Sequence, residues 1–236
     1  MKSISCAGTN LDIHDGNIGI MVSGGADSAI LLYYLMKHCT SNIDIFTQGS
    51  NLKYRRNAII APQVVEKCIE LTGNINVVHH ITYNEVATDS SMIDMPRSAI
   101  KRGLVDVVYD GTTMNPPHDV AINLVATVSK TNSDGTVSKH TATPDMSRSD
   151  VGDNEMSHSG GDFYMPWANT NKKGIAEMYR DENLINSLLP VTRSCEWDPT
   201  CDYYDVIGTV DPGLKHCGEC WWCKEREWGF DTVATQ

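Results

Sequence analysis

Residues 18–37 read IGIMVSGGADSAILLYYLMK, and the order of residue types in this stretch decides the fold class. The run from Ile18 to Val22 is apolar and of strand length. It is followed by Ser23-Gly24-Gly25-Ala26-Asp27-Ser28, where two successive glycines permit a tight turn. From Ala29 to Lys37 the Leu, Tyr and Met content reads as a largely buried helix. Strand, glycine turn and helix in that order open a unit in which parallel strands are joined by crossover helices.

The flanking sequence repeats the pattern. Strands are expected at residues 43–47, 75–81 and 105–109, and helices at residues 54–71 and 91–103. The alternation predicts an α/β fold with a doubly wound parallel sheet covered on both faces. In such sheets ligands sit beyond the carboxyl ends of the strands, where residues 23–28 and 110–117 both fall. Residues 127–162 are rich in Ser, Thr, Asp and Gly with few large apolar side chains, so a long polar loop is expected there, either a functional lid or disordered. Helical patterns resume at residues 169–179 and, more briefly, 182–188. The chain thus divides into residues 1–168, holding the sheet and the long loop, and residues 169–236, a C-terminal helical and cysteine-bearing segment.

The 236 residues suffice for a substantial core, and 41% hydrophobic with 21% charged residues is an ordinary globular composition. No run approaches the roughly eighteen apolar residues of a membrane helix, and residues 1–17 lack the features of a secretory signal, so a cytoplasmic protein without membrane partners is expected. Nineteen Lys and Arg against thirty Asp and Glu give a net charge of -11, which disfavours duplex nucleic acid as a partner. Oligomeric state is not written in the sequence; a homodimer is left open.

The glycine turn suits phosphate. Backbone N–H groups at Gly24 and Gly25 can approach an anion without Cβ interference, and the following helix adds its free N–H groups and positive dipole end. Ser23 and Ser28 offer hydroxyl donors, and Asp27 makes sense there if it orients a Mg²⁺ bridging the phosphates. The plainer alternative is a simple turn with Asp27 as the helix N-cap. Neither a Walker-type loop nor a Gly-x-Gly-x-x-Gly fingerprint occurs.

Five of the eight cysteines crowd the C-terminal region. Cys217-Gly218-Glu219-Cys220-Trp221-Trp222-Cys223 offers three thiolates in seven residues, the spacing of a structural zinc site. Cys195 or Cys201 could supply the fourth ligand, and His216 is a substitute for one of them. Redox or disulfide use is a rival, disfavoured because the overlapping Cys-x-x-Cys steps lie late in the chain, and an iron–sulfur cluster is the remaining alternative. Cys6, Cys39 and Cys68 are scattered and read as inert thiols, Cys39 and Cys68 as small buried hydrophobes.

Ser-Gly-Gly-Ala-Asp-Ser at residues 23–28 resembles the pyrophosphate-binding loop of the N-type ATP pyrophosphatases. Together with Pro166, Lys172, Thr192-Arg193-Ser194-Cys195, the Cys217-x-x-Cys220-x-x-Cys223 tail and Gly229-Phe230, it resembles the 7-cyano-7-deazaguanine synthase family over nearly the full length. The resemblance implies an adenine nucleotide alpha hydrolase-like (Rossmann-like) fold with a zinc-binding appendage, and ATP, Mg²⁺ and Zn²⁺ as cofactors. The zinc ligands it implies are Cys195, Cys217, Cys220 and Cys223. The reaction it implies is ATP-dependent amidation of a deazapurine carboxylic acid with ammonia, then dehydration of the amide to a nitrile.

Within that resemblance, Ser23, Gly24, Gly25 and Ser28 would hold phosphates, Asp27 the Mg²⁺, and Phe46, Thr47, Gln48 and Gly111 the nucleotide. Arg97 or Lys172 would neutralise developing charge, with Thr112, Thr113 and Asn115 at the substrate. The chain departs from the family at Asp110-Gly111-Thr112-Thr113-Met114-Asn115-Pro116-Pro117, at Met95-Pro96-Arg97 and in residues 127–162, so the substrate end is altered. A related enzyme joining the acid to another amine, a non-catalytic nucleotide- and zinc-binding scaffold, and a thiolation enzyme with reactive cysteines are the alternatives.

Overall fold

The computed structural model describes residues 1–50, 57–84, 91–124, 126–131, 137–142, 156–157, 163–195, 216, 218 and 220–231. Its centre is a six-stranded sheet built on five parallel strands: β3 (Ile18–Met21), β4 (Ile43–Ser50), β5 (Val77–Asn84), β6 (Val107–Tyr109) and β10 (Phe163–Tyr164). They lie in the order β5-β4-β3-β6-β10, with the two-residue β9 (Met156–Ser157) antiparallel at the far edge. The chain winds outward from β3 to β5, then returns to the other side of β3 with β6. The switch point of this α/β sheet therefore lies between β3 and β6.

Side-chain alternation explains both layers. Ile18, Ile20, Ile43, Ile45, Val107, Tyr109 and Tyr164 face the larger core, which contains helices α1 (Ala26–His38), α2 (Asn57–Thr72) and α5 (Lys172–Asp181). Phe46, Val108 and Phe163 point the other way, into a smaller core under α3 (Ser91–Lys101). Gly19 sits on that second face because a Cβ there would come within 2.7 Å of the Phe46 ring. Helix α1 is buried at ten of its thirteen positions, the all-round burial that its uninterrupted apolar sequence demands.

Several elements differ from the sequence expectation. Strands β1 (Lys2–Cys6) and β2 (Thr9–Ile13) form an N-terminal hairpin whose two-residue turn, Ala7-Gly8, has positive φ at both residues; Cys6, Leu11 and Ile13 close the larger core. Part of the expected polar loop is a second hairpin, β7 (Ala126–Thr131) with β8 (Val137–Ala142). Its strands are rich in Thr, Val, Ser and Ala, and β-branched residues form ladders without needing a core of their own size. The short helix expected at residues 182–188 is replaced by turns and a 3-10 turn at Leu189–Val191, because Asn183 at φ +58° ends α5 and redirects the chain. The small helix α4 (His118–Ala121) follows β6, and α6 (Trp221–Phe230) closes the described chain.

Helices α5 and α6 do not stand apart. Ile175, Ala176, Met178, Tyr179 and Phe230 belong to the same core as α1, and the Tyr179 and Phe230 rings meet edge to face at 5.5 Å. No helix among the described residues is long and apolar enough to cross a membrane.

Candidate functional site

The glycine loop leaves the end of β3 beside the switch point. Gly24 has φ +85°, and a Cβ there would lie 2.7 Å from Ile60 Cγ2 and 3.1 Å from the Ala61 nitrogen, so the loop presses against α2. Across the switch point, a Cβ on Gly111 would lie 2.9 Å from both Cα and N of Ser28. Two glycines thus let the loop after β3 and the loop after β6 meet backbone to backbone.

Inside the loop, Ser28 Oγ accepts from the Ser23 N–H and donates to the Gly25 carbonyl, each at 3.3 Å. Ser23 Oγ accepts from the Gly25 N–H at 3.2 Å. Gly25, not Asp27, is the N-cap of α1 and, as a glycine, has no side chain with which to cap the helix. The N-cap alternative for Asp27 is therefore excluded by geometry. The first turn of α1 turns its positive dipole end toward the loop.

Asp27 faces Lys172, the first residue of α5, with Nζ donating to Oδ2 at 2.5 Å. The Asn171 side chain caps α5 by accepting from the Lys173 and Gly174 N–H groups. The Lys172 side chain is only 3% exposed, and its stem lies against Gly229 of α6, where a Cβ would come within 2.4 Å of Lys172 Cγ. Glu225 of α6, 1% exposed, brings a second carboxylate to 3.9 Å from Nζ. The other Asp27 oxygen, Oδ1, is buried with no hydrogen-bond partner. A partnerless buried carboxylate oxygen suits a hard divalent cation such as Mg²⁺.

The remaining expected residues fall in two groups. Thr112, Thr113 and Asn115 lie with Gly111 on the segment after β6; Thr112 bonds the Asp110 carboxylate through its N–H and hydroxyl, and Thr113 and Asn115 are buried. The Met114 N–H donates to the Thr170 carbonyl at 3.1 Å, tying this segment to the turn before α5. Phe46, by contrast, is taken up by the second core, stacked on His80 at 5.2 Å, and Arg97 lies on α3, across the sheet from α1. Gln48 is buried at the end of β4, and Thr47 donates to the Val22 carbonyl at 2.7 Å. Since that bond uses the hydroxyl hydrogen, His79 Nε2, 2.8 Å from Thr47 Oγ1, is the donor of the neighbouring bond. Burial and the adjacent His80 hold the His79 pKa down at about 4, so the ring is neutral.

The cysteine centre lies behind the loop. Cys195, Cys220 and Cys223 are buried, and their sulfurs lie within 4.8 Å of one another. Cys195 and Cys220 are 3.8 Å apart, far beyond a disulfide bond. Zinc–thiolate bonds of 2.3 Å in a tetrahedron require sulfur separations of about 3.8 Å, so the donor set fits zinc. His216 Nδ1 stands 3.8 Å from Cys223 Sγ. Cys217 and Cys201 lie outside the described residues. Elsewhere, burial pushes the Cys6 thiol up to about 11 and that of Cys68 higher still, leaving both protonated and inert as expected.

Two arginines that the sequence reading did not single out as functional join the centre to the loop. The Arg193 N–H donates to the Gly24 carbonyl at 2.8 Å. Arg226, whose pKa is lowered by burial, donates to Thr192 Oγ1 at 2.9 Å, Ser194 Oγ at 3.3 Å and the Leu189 carbonyl at 2.9 Å. Neither Glu225 nor Arg226 gives a sequence signal, because a charged residue on a helix defaults to a solvated face.

A scan against protein-family models found no match, and a search of curated proteins found none.

Proposed function

We propose that the chain is an ATP-dependent C–N ligase of the N-type ATP pyrophosphatase superfamily, acting on a deazapurine carboxylic acid with ammonia as nucleophile. The observation that carries the nucleotide half is the glycine loop at the switch point, leading into the N-terminus of α1, with an Asp–Lys pair at its edge. The resemblance of the loop and cysteine tail supplies the substrate class.

In this reading the loop N–H groups and the first turn of α1 bind the β- and γ-phosphates. Asp27 would hold the Mg²⁺ that accompanies ATP, and Lys172 would offset charge as it builds on the leaving pyrophosphate. The substrate carboxylate attacks the α-phosphorus and pyrophosphate leaves, forming an acyl adenylate. Ammonia attacks the acyl carbon, AMP departs with the carboxylate oxygen, and the lost proton passes to solvent, leaving the amide. A second ATP adenylates the amide oxygen with release of pyrophosphate, and loss of AMP and of both nitrogen-bound protons to solvent leaves the nitrile. Thr112, Thr113 and Asn115 would stand at the acid. Zinc held by Cys195, Cys220 and Cys223, with Cys217 or His216 as the fourth ligand, fixes the C-terminal segment and takes no part in the chemistry.

The test is to incubate the protein with ATP, Mg²⁺, ammonium and 7-carboxy-7-deazaguanine and resolve nucleotides and deazapurines by mass spectrometry. AMP together with an amide or nitrile is expected, and Asp27→Ala should abolish both while retaining fold and zinc. AMP formation that ignores ammonium but requires another amine would replace the nucleophile. AMP absent with the acid untouched would overturn the assignment.

A further inference from the structure

We infer that Arg226 is a positioning residue for the glycine loop: it fixes the backbone of Arg193, which in turn holds the Gly24–Gly25 peptide with its N–H facing into the loop and its carbonyl facing away. The inference rests on the nucleotide reading above and concerns a residue that reading does not use.

The peptide between Gly24 and Gly25 needs holding, because glycine on both sides leaves no Cβ to oppose its rotation. In a trans peptide the N–H and the carbonyl point in opposite directions. Here the Gly25 N–H reaches Ser23 Oγ at 3.2 Å, within the loop, and the Gly24 carbonyl accepts from the Arg193 N–H at 2.8 Å, on the side of residues 192–195. The Ser23 side chain is exposed, so it can turn aside and leave that N–H to a phosphate. Turned over, the same peptide would present a carbonyl oxygen where the loop is to receive phosphate, and that partial negative charge opposes an anion. The Arg193 carbonyl stands 3.7 Å from the Cβ position of Gly25, so the Arg193 main chain meets both residues of the pair.

Arg193 is fixed from α6. The Arg226 guanidinium donates to Thr192 Oγ1 at 2.9 Å and Ser194 Oγ at 3.3 Å, the side chains on either side of Arg193, and to the Leu189 carbonyl at 2.9 Å. Thr192 Oγ1 donates to that same carbonyl at 2.8 Å, which closes residues 189–194 into one hydrogen-bonded unit around the buried arginine. Only a planar fork with several donors spans three such acceptors at once; a lysine offers one point of charge. Both ends of the clamp adjoin the cysteine centre: Arg226 lies about one helical turn beyond Cys223, and Ser194 precedes Cys195.

Calorimetric titration with ATP in Mg²⁺, and with AMP by competition against ATP, separates this role from general support of the fold. In Arg226→Gln the Kd for ATP should rise about tenfold, the effect of losing a hydrogen bond from a charged group, while the Kd for AMP, which lacks the β- and γ-phosphates, stays unchanged. Arg226→Lys keeps the charge without the fork and should show a smaller rise of about threefold. Without nucleotide, hydrogen exchange at the Arg193 N–H, followed by NMR, should quicken about tenfold in Arg226→Gln. Zinc content and melting temperature identify a variant that fails to fold; should that be Arg226→Gln, Thr192→Val, which removes one acceptor of the clamp, carries the test with the same selective loss of ATP. Unchanged ATP affinity in a folded variant, an equal loss for ATP and AMP, or unaltered exchange at Arg193 would overturn the inference while leaving ATP binding by the wild type intact. No ATP binding by the wild type in Mg²⁺ would overturn the nucleotide reading and this inference together.

Discussion

Replacing Gly24 by Ala tests the loop at its tightest point, and the structure supplies its own control. Two costs act at once. Holding an L-residue at φ +85° costs about 1–2 kcal/mol, and the new Cβ would meet Ile60 Cγ2 at 2.7 Å, Ile60 Cβ at 2.9 Å and the Ala61 nitrogen at 3.1 Å. Rotating the Ile60 side chain can relieve the first contact, but Ile60 Cβ and the Ala61 nitrogen move only with α2. Overpacking of this kind adds about 1–3 kcal/mol. Gly73 has φ +70° and nothing within 4 Å of its added Cβ, so Gly73→Ala reports the conformational cost alone. Guanidinium unfolding should place Gly24→Ala about 2 kcal/mol below Gly73→Ala, and thermal melts should separate the two variants by about 4–8 °C. ATP binding should fall with Gly24→Ala and stay unchanged with Gly73→Ala. Equal destabilisation of the two variants would refute the close approach of loop and α2.

Three further outcomes are expected. Metal analysis of protein purified without chelator should give one zinc per chain, and Cys220→Ser should lose it and lower the melting temperature; thiols at Cys195, Cys220 and Cys223 that titrate freely in metal-replete protein would contradict the centre. The depressed pKa of His79, about 4 against an ordinary 6.5, means that the unfolded chain binds a proton the folded chain refuses. That contribution, about 2 kcal/mol after allowing for partial exposure, is full above pH 6.5 and lost as pH falls through 4, so urea unfolding from pH 7.5 to 4 should show a decline that His79→Gln flattens. Gly111→Ala, which drives a Cβ into the backbone of Ser28, should weaken ATP binding more than it lowers stability, as paired titration and unfolding measurements would show.

The parallel α/β sheet was legible because its signals are local. Ile18, Ile20, Ile43 and Ile45 sit in short apolar runs, glycines punctuate them, and each is followed by a helical pattern, so strand, helix and winding could be read in order. The hairpins were not. In residues 126–142 the Thr and Val alternation and Asp134-Gly135 were present, but the polarity of the surrounding sequence outweighed them. In the N-terminal hairpin the turn pair Ala7-Gly8 is short and flanked by mixed residues. Phe46 illustrates the opposite failure: its place at a strand end suggested a ligand contact, yet period-two alternation turns it into the second core.

The sequence by itself determined which residue types stand where the chemistry would need them: two glycines with Asp27 and Ser28 at a strand-to-helix turn, and a cysteine spacing that only a few metals satisfy. Those are properties of neighbours along the chain, and spacing suffices to state them. Tertiary structure alone decided that Lys172, 145 residues from Asp27, closes an ion pair with it, and that Glu225 and Arg226 turn inward from a helix that composition would leave in water. It also decided that Gly111 and Ser28 touch backbone to backbone. Such contacts depend on how the sheet order brings β3 beside β6 and on how α6 packs against α5, and the energy of burying charge is settled only when the partner arrives from elsewhere in the fold.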